Sequence, residues 1–228
     1  MFVEFFKKYR HVWIVPVYMV CYMAAFVWLE NRKGAVHILH TTLDDKIPFC
    51  RYFIIPYLLW FAFVAGTVIY FAFFQQDREA YFRLIFSLGT GMTLFLAISY
   101  LYPNGHDLRP ALDGNDIFTQ AVRALYLVDT PSNILPSIHV FNSLACLAAL
   151  LGDERCRTDK RLRSFVAILA VSIVLSTMFL KQHSVIDVSC AILLNVLCYV
   201  FFYKVFPDMD AYARAMRRKK EAVERYTV

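Results

Sequence analysis

The residues that could do chemistry gather in three short segments. His183 and Asp187 are four positions apart, which puts both side chains on one helix face within hydrogen-bonding reach. A carboxylate on one imidazole nitrogen fixes the tautomer and raises the nucleophilicity of the other. His139 follows Pro136 and Ser137 in the run LPSIHV, a helix start whose unbonded N–H groups and positive dipole end attract phosphate. Arg109, in YPNGHDLRP, and Lys181, in LKQHSVIDV, add the cations that a phosphoryl group needs. A nucleophile, an orienting acid, a second histidine and an anion cradle are the inventory for phosphoryl transfer through a covalent intermediate.

Composition indicates what must hold these segments. The chain has 228 residues, 59% of them apolar, 17% aromatic and 18% charged, with a mean hydropathy of +0.49. Soluble proteins carry about 45–50% apolar and about 25% charged residues. The excess is more than one water-soluble core of this size buries, so a membrane is the natural second solvent. That argues against a soluble enzyme, a nucleic-acid-binding module and a disulfide scaffold. Charge-free stretches run 11–29, 52–76, 84–106, 130–152, 164–180 and 188–203. They predict a single all-α domain, an integral membrane bundle of six transmembrane helices over about 11–29, 53–74, 83–102, 136–152, 164–180 and 185–206. The fourth must begin near Pro136 and is short. The ten-residue alternation of a membrane β-barrel is absent from the sequence.

Lysine and arginine placement orients the bundle. With a cytoplasmic N-terminus, Lys7, Lys8, Arg10, Arg78, the cluster from Arg155 to Arg163, and the cations of a basic tail over 207–228 lie inside. Arg32, Lys33, Lys46, Arg51, Arg109, Arg123 and Lys181 are the outer minority. Both termini are then expected in the cytoplasm, and all three chemical segments at the outer edge, facing out of the plasma membrane if the cell is bacterial. The net charge of +6 reads as topology and contact with anionic lipid heads rather than with nucleic acid. Six cysteines without a C-x-x-C pair read as small apolar packing residues.

Other features carry less. His37, His40, Asp44 and Asp45 could be imagined as a metal site, but AVHILHTTLDDK reads better as an amphipathic element dipping Val36, Ile38, Leu39 and Leu43 into lipid. Gly89 and Gly91 suit close helix packing rather than a phosphate loop. No cleavable signal pattern and no N-x-S/T sequon occur in the sequence.

LRP, PSIH and HSVID, taken in this order, resemble the three-part signature of the type 2 phosphatidic acid phosphatase superfamily: K-x-x-x-x-x-x-R-P, then P-S-G-H, then S-R-x-x-x-x-x-H-x-x-x-D. The resemblance covers about Tyr100 to Val188. It implies that His183 attacks phosphorus, that Asp187 steadies it and that His139 protonates the leaving group. Arg109 and Ser137 are then phosphate ligands. The chain departs from the signature at Tyr102, where the first-motif lysine would stand, and at Thr177, where the third-motif arginine would stand. Ile138 replaces the motif glycine, while Ser176 is retained. Lys181 is expected to restore some of the lost charge. His106 reads as a polar loop residue that could assist.

The expectation is therefore a metal-independent, cofactor-free membrane lipid phosphate phosphatase that hydrolyses a phosphomonoester or pyrophosphate through phosphohistidine. Its partners would be a lipid phosphate substrate and membrane lipids; the sequence is silent on oligomeric state. The enzymatic alternative is a lipid head-group phosphotransferase with the same core. The other is a small transporter or lipid-binding scaffold, for which paired broken helices or an internal repeat would be needed; the halves show neither clearly.

Overall fold

The computed structural model describes residues 10–32, 34–75 and 77–206. Lys7, Lys8, Lys33 and the basic tail over 207–228 lie outside the described residues. In chain order the helices are α1 (Ile14–Glu30), α2 (Thr42–Lys46), α3 (Ile54–Ile69), α4 (Arg78–Leu101), α5 (Ile117–Val128), α6 (Ile138–Gly152), α7 (Glu154–Thr158), α8 (Lys160–Phe179) and α9 (Val185–Val200). Two residues of β1 (His37–Ile38) pair in parallel with two of β2 (Asn104–Gly105). Among the described residues the fold is all-α apart from that pair.

Among the described residues, five helical segments are long and apolar enough to cross a membrane: Arg10–Glu30, Arg51–Phe74, Arg78–Leu101, Lys160–Phe179 and Val185–Val205. Their outer faces carry exposed Val20, Phe61, Leu101, Phe165, Ile168 and Leu193, surfaces that water would penalise and lipid would not. This is compatible with a multi-pass membrane protein. The fourth predicted span, 136–152, becomes α6 with only 15 residues. At 1.5 Å per residue it is about 22 Å long, against a hydrocarbon core of about 30 Å.

That short helix is the middle of the bundle. α6 packs against α3, α4, α8 and α9, burying Val140, Phe141, Ala145, Cys146 and Ala149 among them. Gly91 of α4 makes one approach possible, because a Cβ there would lie 2.0 Å from the Phe141 ring. The small-residue reading of Gly91 therefore holds, whereas Gly89 has only Tyr18 near it, at 4.0 Å. Asn195 of α9 donates to the Phe141 carbonyl at 3.2 Å, one of the polar ties that apolar helices use where packing alone is weakly directional. All six cysteines are free.

At one end of the bundle, loops fold into a cap. Asn104 is fully buried; its Oδ1 accepts from Ile134 N–H at 2.8 Å and Leu135 N–H at 2.9 Å, fixing the approach to α6. Gly105 is needed beside it, since a Cβ would meet the Pro131 carbonyl oxygen at 2.6 Å. The Glu30 carboxylate, at the end of α1, accepts from Thr130 and Ser132 hydroxyls and from Asn133 Nδ2. The segment that delivers Ser137 and His139 is thus pinned from two sides.

Candidate active site

The three sequence segments meet at this capped end. α9 starts at Val185, so Asp187 lies in its first turn and His183 just before it. His183 Nδ1 donates to Asp187 Oδ2, leaving the lone pair on Nε2. That Nε2 faces His139 Nδ1 at 3.4 Å, so any proton shared between the rings resides on His139. Both histidines and Asp187 are buried. The His139 ring sits against Tyr57 (centroids 4.7 Å apart) and Trp60 (4.4 Å), both from α3.

The loop carrying His183 is held by backbone and side-chain bonds. Gln182 and His183 N–H groups both donate to the Thr177 carbonyl, at 2.9 and 3.1 Å. Asp44, buried in α2, accepts from the Ser184 hydroxyl at 2.7 Å and Val185 N–H at 2.8 Å. Burial works to raise the Asp44 carboxyl, but these bonds and those from Thr41 outweigh it and hold its pKa below the usual value. Lys181 Nζ donates to the Asp44 carbonyl at 2.6 Å. Its ammonium therefore fastens α2 to the loop.

Ser137 caps α6, its Oγ accepting from Val140 N–H at 3.4 Å, and its own N–H donates to the Asp187 carbonyl at 3.2 Å. Arg109 is half-buried with its guanidinium 4.3 Å above the Tyr126 ring. Nη1 donates to the Tyr126 carbonyl at 2.9 Å and Nη2 to the Asp129 carbonyl, while buried Nε has no partner. Asp129 Oδ2 in turn accepts from the Tyr57 hydroxyl and from Gln182 Nε2, the latter at 3.1 Å.

His106 is more than a loop residue. It is buried, and its Nδ1 accepts from Leu108 N–H at 3.2 Å, which puts the ring proton on an unpartnered Nε2. Burial first, then the neighbouring His183 and Arg109, push its pKa down to about 3. A neutral donor thus joins Arg109 Nε and Gln182 Oε1 as buried polar atoms without partners.

The departures from the signature point elsewhere. Tyr102 stacks on His37 at 4.4 Å. The Thr177 hydroxyl bonds back to the Val174 carbonyl at 2.7 Å. Ile138 packs with Tyr22, Met92 and Phe95 of α1 and α4. The imagined metal cluster does not assemble: His40 pairs with Asp45 at 2.8 Å while Asp44 turns to α9, and no group of three ligand-type side chains occurs among the described residues. A cavity of about 100 Å³ beside Glu30, Arg32 and Ser132 lies apart from the histidines.

Tyr57, Trp60, Asn104, Asp129 and Gln182 escaped sequence reasoning. Gln182 stands inside a quoted segment, and Asp129 bounds a charge-free stretch, but neither has a spacing signal; Tyr57 is one of 14 tyrosines. Comparison with protein-family models, curated proteins and solved structures found no match.

Proposed function

We propose that this chain is an integral membrane enzyme that cleaves a lipid phosphoester through a phosphohistidine at His183, as the resemblance to the type 2 phosphatidic acid phosphatase superfamily implies. One observation carries the reading: Asp187 holds His183 Nδ1 while Nε2 faces His139 Nδ1 at 3.4 Å, at the capped end of an apolar bundle. His183 Nε2 attacks phosphorus, the N–P bond forms, and the P–O bond breaks as His139 protonates the leaving oxygen. Water that gives its proton to His139 then attacks phosphorus and releases the phosphate from His183. The α6 start, Ser137, Arg109 Nε and His106 Nε2–H address the non-bridging oxygens as preorganised donors.

Attack needs phosphorus about 3–3.5 Å from the nucleophile. Rings 3.4 Å apart nitrogen to nitrogen cannot straddle a phosphoryl group, so substrate entry must part them, with His139 turning between Tyr57 and Trp60. In this reading α6 is the sixth helix of the membrane bundle, short because its neighbours shelter it. Both termini are cytoplasmic, and the lipid arrives sideways from the outer leaflet.

Hydrolysis of a phosphomonoester or pyrophosphate is the simplest outcome. Transfer to an alcohol is the second reading, favoured because Arg109 Nη1 and Nη2 and Lys181 Nζ are engaged by backbone carbonyls, leaving little cationic capacity for a dianion. The test uses detergent-purified protein and lipids labelled in phosphate, with EDTA present. Lipid cleavage that survives EDTA and vanishes in His183→Ala is the expected result; undiminished cleavage by His183→Ala would sink the proposal. Free inorganic phosphate marks hydrolysis, and label in a new lipid marks transfer.

A further inference from the structure

The reaction as proposed does not use Asp129, yet this acid stands beside its machinery. Its Oδ2 is held by two neutral donors, the Tyr57 hydroxyl and Gln182 Nε2. It forms no ion pair with any described lysine or arginine. Tyr57 carries it to the centre of the site, because the same ring lies 4.7 Å from that of His139. Arg109 binds the Asp129 backbone carbonyl and not its carboxylate.

Every other choice in this cluster conserves positive charge poorly. Arg109 keeps only Nε for a ligand, Lys181 is bound to Asp44, His106 is held neutral by burial, and Tyr102 and Thr177 face away. A second negative charge brought into this field meets the Asp129, Asp187 and Asp44 carboxylates, with only the Arg109 guanidinium and the Lys181 ammonium to offset them. Such repulsion at protein interior dielectric amounts to about tenfold or more in selectivity at separations under roughly 10 Å.

We propose that Asp129 sets the charge of the substrate: resting on the phosphohistidine chemistry above, and departing from its monoester outcome in favour of a diester, the site takes the singly charged phosphate of a lipid phosphodiester in preference to the doubly charged phosphate of a monoester. Attack by His183 Nε2 forms an N–P bond and breaks one of the two ester bonds, whose oxygen takes a proton from His139. The phosphohistidine keeps the other ester and a single negative charge. An acceptor hydroxyl, of an alcohol or of water, then gives its proton to His139 as its oxygen bonds phosphorus and the N–P bond breaks. Asp129 is a specificity-determining neighbour in this scheme and touches no reacting atom.

The experiment measures diacylglycerol release by the full chain in detergent from phosphatidate, phosphatidylglycerol, phosphatidylethanolamine and phosphatidylinositol. At least one diester should exceed phosphatidate about tenfold in kcat/KM, and Asp129→Asn should narrow the gap several-fold by raising the phosphatidate rate, while Asp129→Glu keeps it. A second readout needs no variant. Lowering the pH through the second ionisation of the monoester, about 6 for a phosphate, should raise phosphatidate turnover relative to the diester; enzyme titrations cancel in that ratio. Phosphatidate cleaved as fast as every diester overturns the inference. So does an active Asp129→Asn with the wild-type ratio or, where that variant is inactive, a ratio flat with pH. No His183-dependent release from any lipid would instead sink the phosphohistidine reading itself.

Discussion

Two helices begin at the same end of the bundle, and their first turns are treated in opposite ways. The α9 start is filled by the chain's own anion: Asp44 Oδ1 takes Val185 N–H at 2.8 Å, and the Ser184 hydroxyl takes Ile186 N–H at 3.2 Å. The α6 start has only Ser137 Oγ on Val140 N–H, at the long distance of 3.4 Å, and no described carboxylate bonds its N–H groups. Helix N-termini attract anions with comparable strength wherever they occur. The difference therefore separates anchorage from chemistry. α9 uses its dipole to lock Asp44 and so to fix the His183 loop, while α6 keeps its dipole for whatever anion His139 faces.

The sharpest way to break that contrast is to remove the chemistry while keeping the anchor. His183→Ala should abolish lipid phosphoester cleavage, with a fall in the thermal midpoint of a few degrees because the buried Asp187 carboxylate loses a partner. Asp187→Asn should lower kcat by about 10²–10⁴-fold, since it frees the His183 tautomer, and monodisperse protein by size exclusion would show that the loss is chemical. Asp44→Ala is the converse. It strips an acceptor from Ser184, Val185 and Thr41, and each lost bond costs about 1 kcal/mol or more. The thermal midpoint should fall by several degrees together with turnover. Ser137→Ala should cost about 1 kcal/mol as a lost cap and raise KM more than it lowers kcat. If Asp44→Ala left the midpoint unchanged while Ser137→Ala collapsed it, the assignment of the two starts would be reversed.

What was legible in the sequence was local. The i, i+4 spacing of His183 and Asp187 gave their contact, and Pro136–Ser137 gave the α6 start at Ile138. Helical class followed from hydropathy, which predicted six spans where five helical segments among the described residues are long and apolar enough to cross a membrane. Hydropathy does not distinguish a face turned to lipid from one turned to protein, so it could not tell that the 15-residue α6, expected as a short fourth span, stands at the centre of the bundle. Its buried Asn142 and Ser143 were the available hint. The anchoring role of Asp44 went unseen because its partners, Ser184 and Val185, are 140 and 141 residues away. Tyr57 and Asp129 meet across 72 residues, a pairing that no periodicity announces. Lys181 had the right charge in the right segment, but the backbone turn at positive φ of 54° accompanies an ammonium bound to the Asp44 carbonyl.

The smallest effect tests the cap, where two loop histidines are set in opposite directions. His40 is exposed beside Asp45, whose hydrogen bond raises its pKa from 6.5; stability from that contact is present below 6.5 and fades as pH rises through the folded value. His106 is buried and pushed down to about 3. Its unfolded form binds a proton near 6.5 and its folded form does not, so its contribution is complete above 6.5 and is lost as pH falls toward 3. The loss should be about 0.5–1 kcal/mol at pH 6 and about 1.4 kcal/mol for each further unit of acidification. Thermal midpoints in detergent between pH 7.5 and 5 should therefore fall less steeply for His106→Asn than for wild type, and His40→Asn should not flatten that slope. Equal slopes for wild type and His106→Asn would mean that the folded loop protonates freely. Its Nε2–H could then not be the neutral donor that completes the anion side of the site.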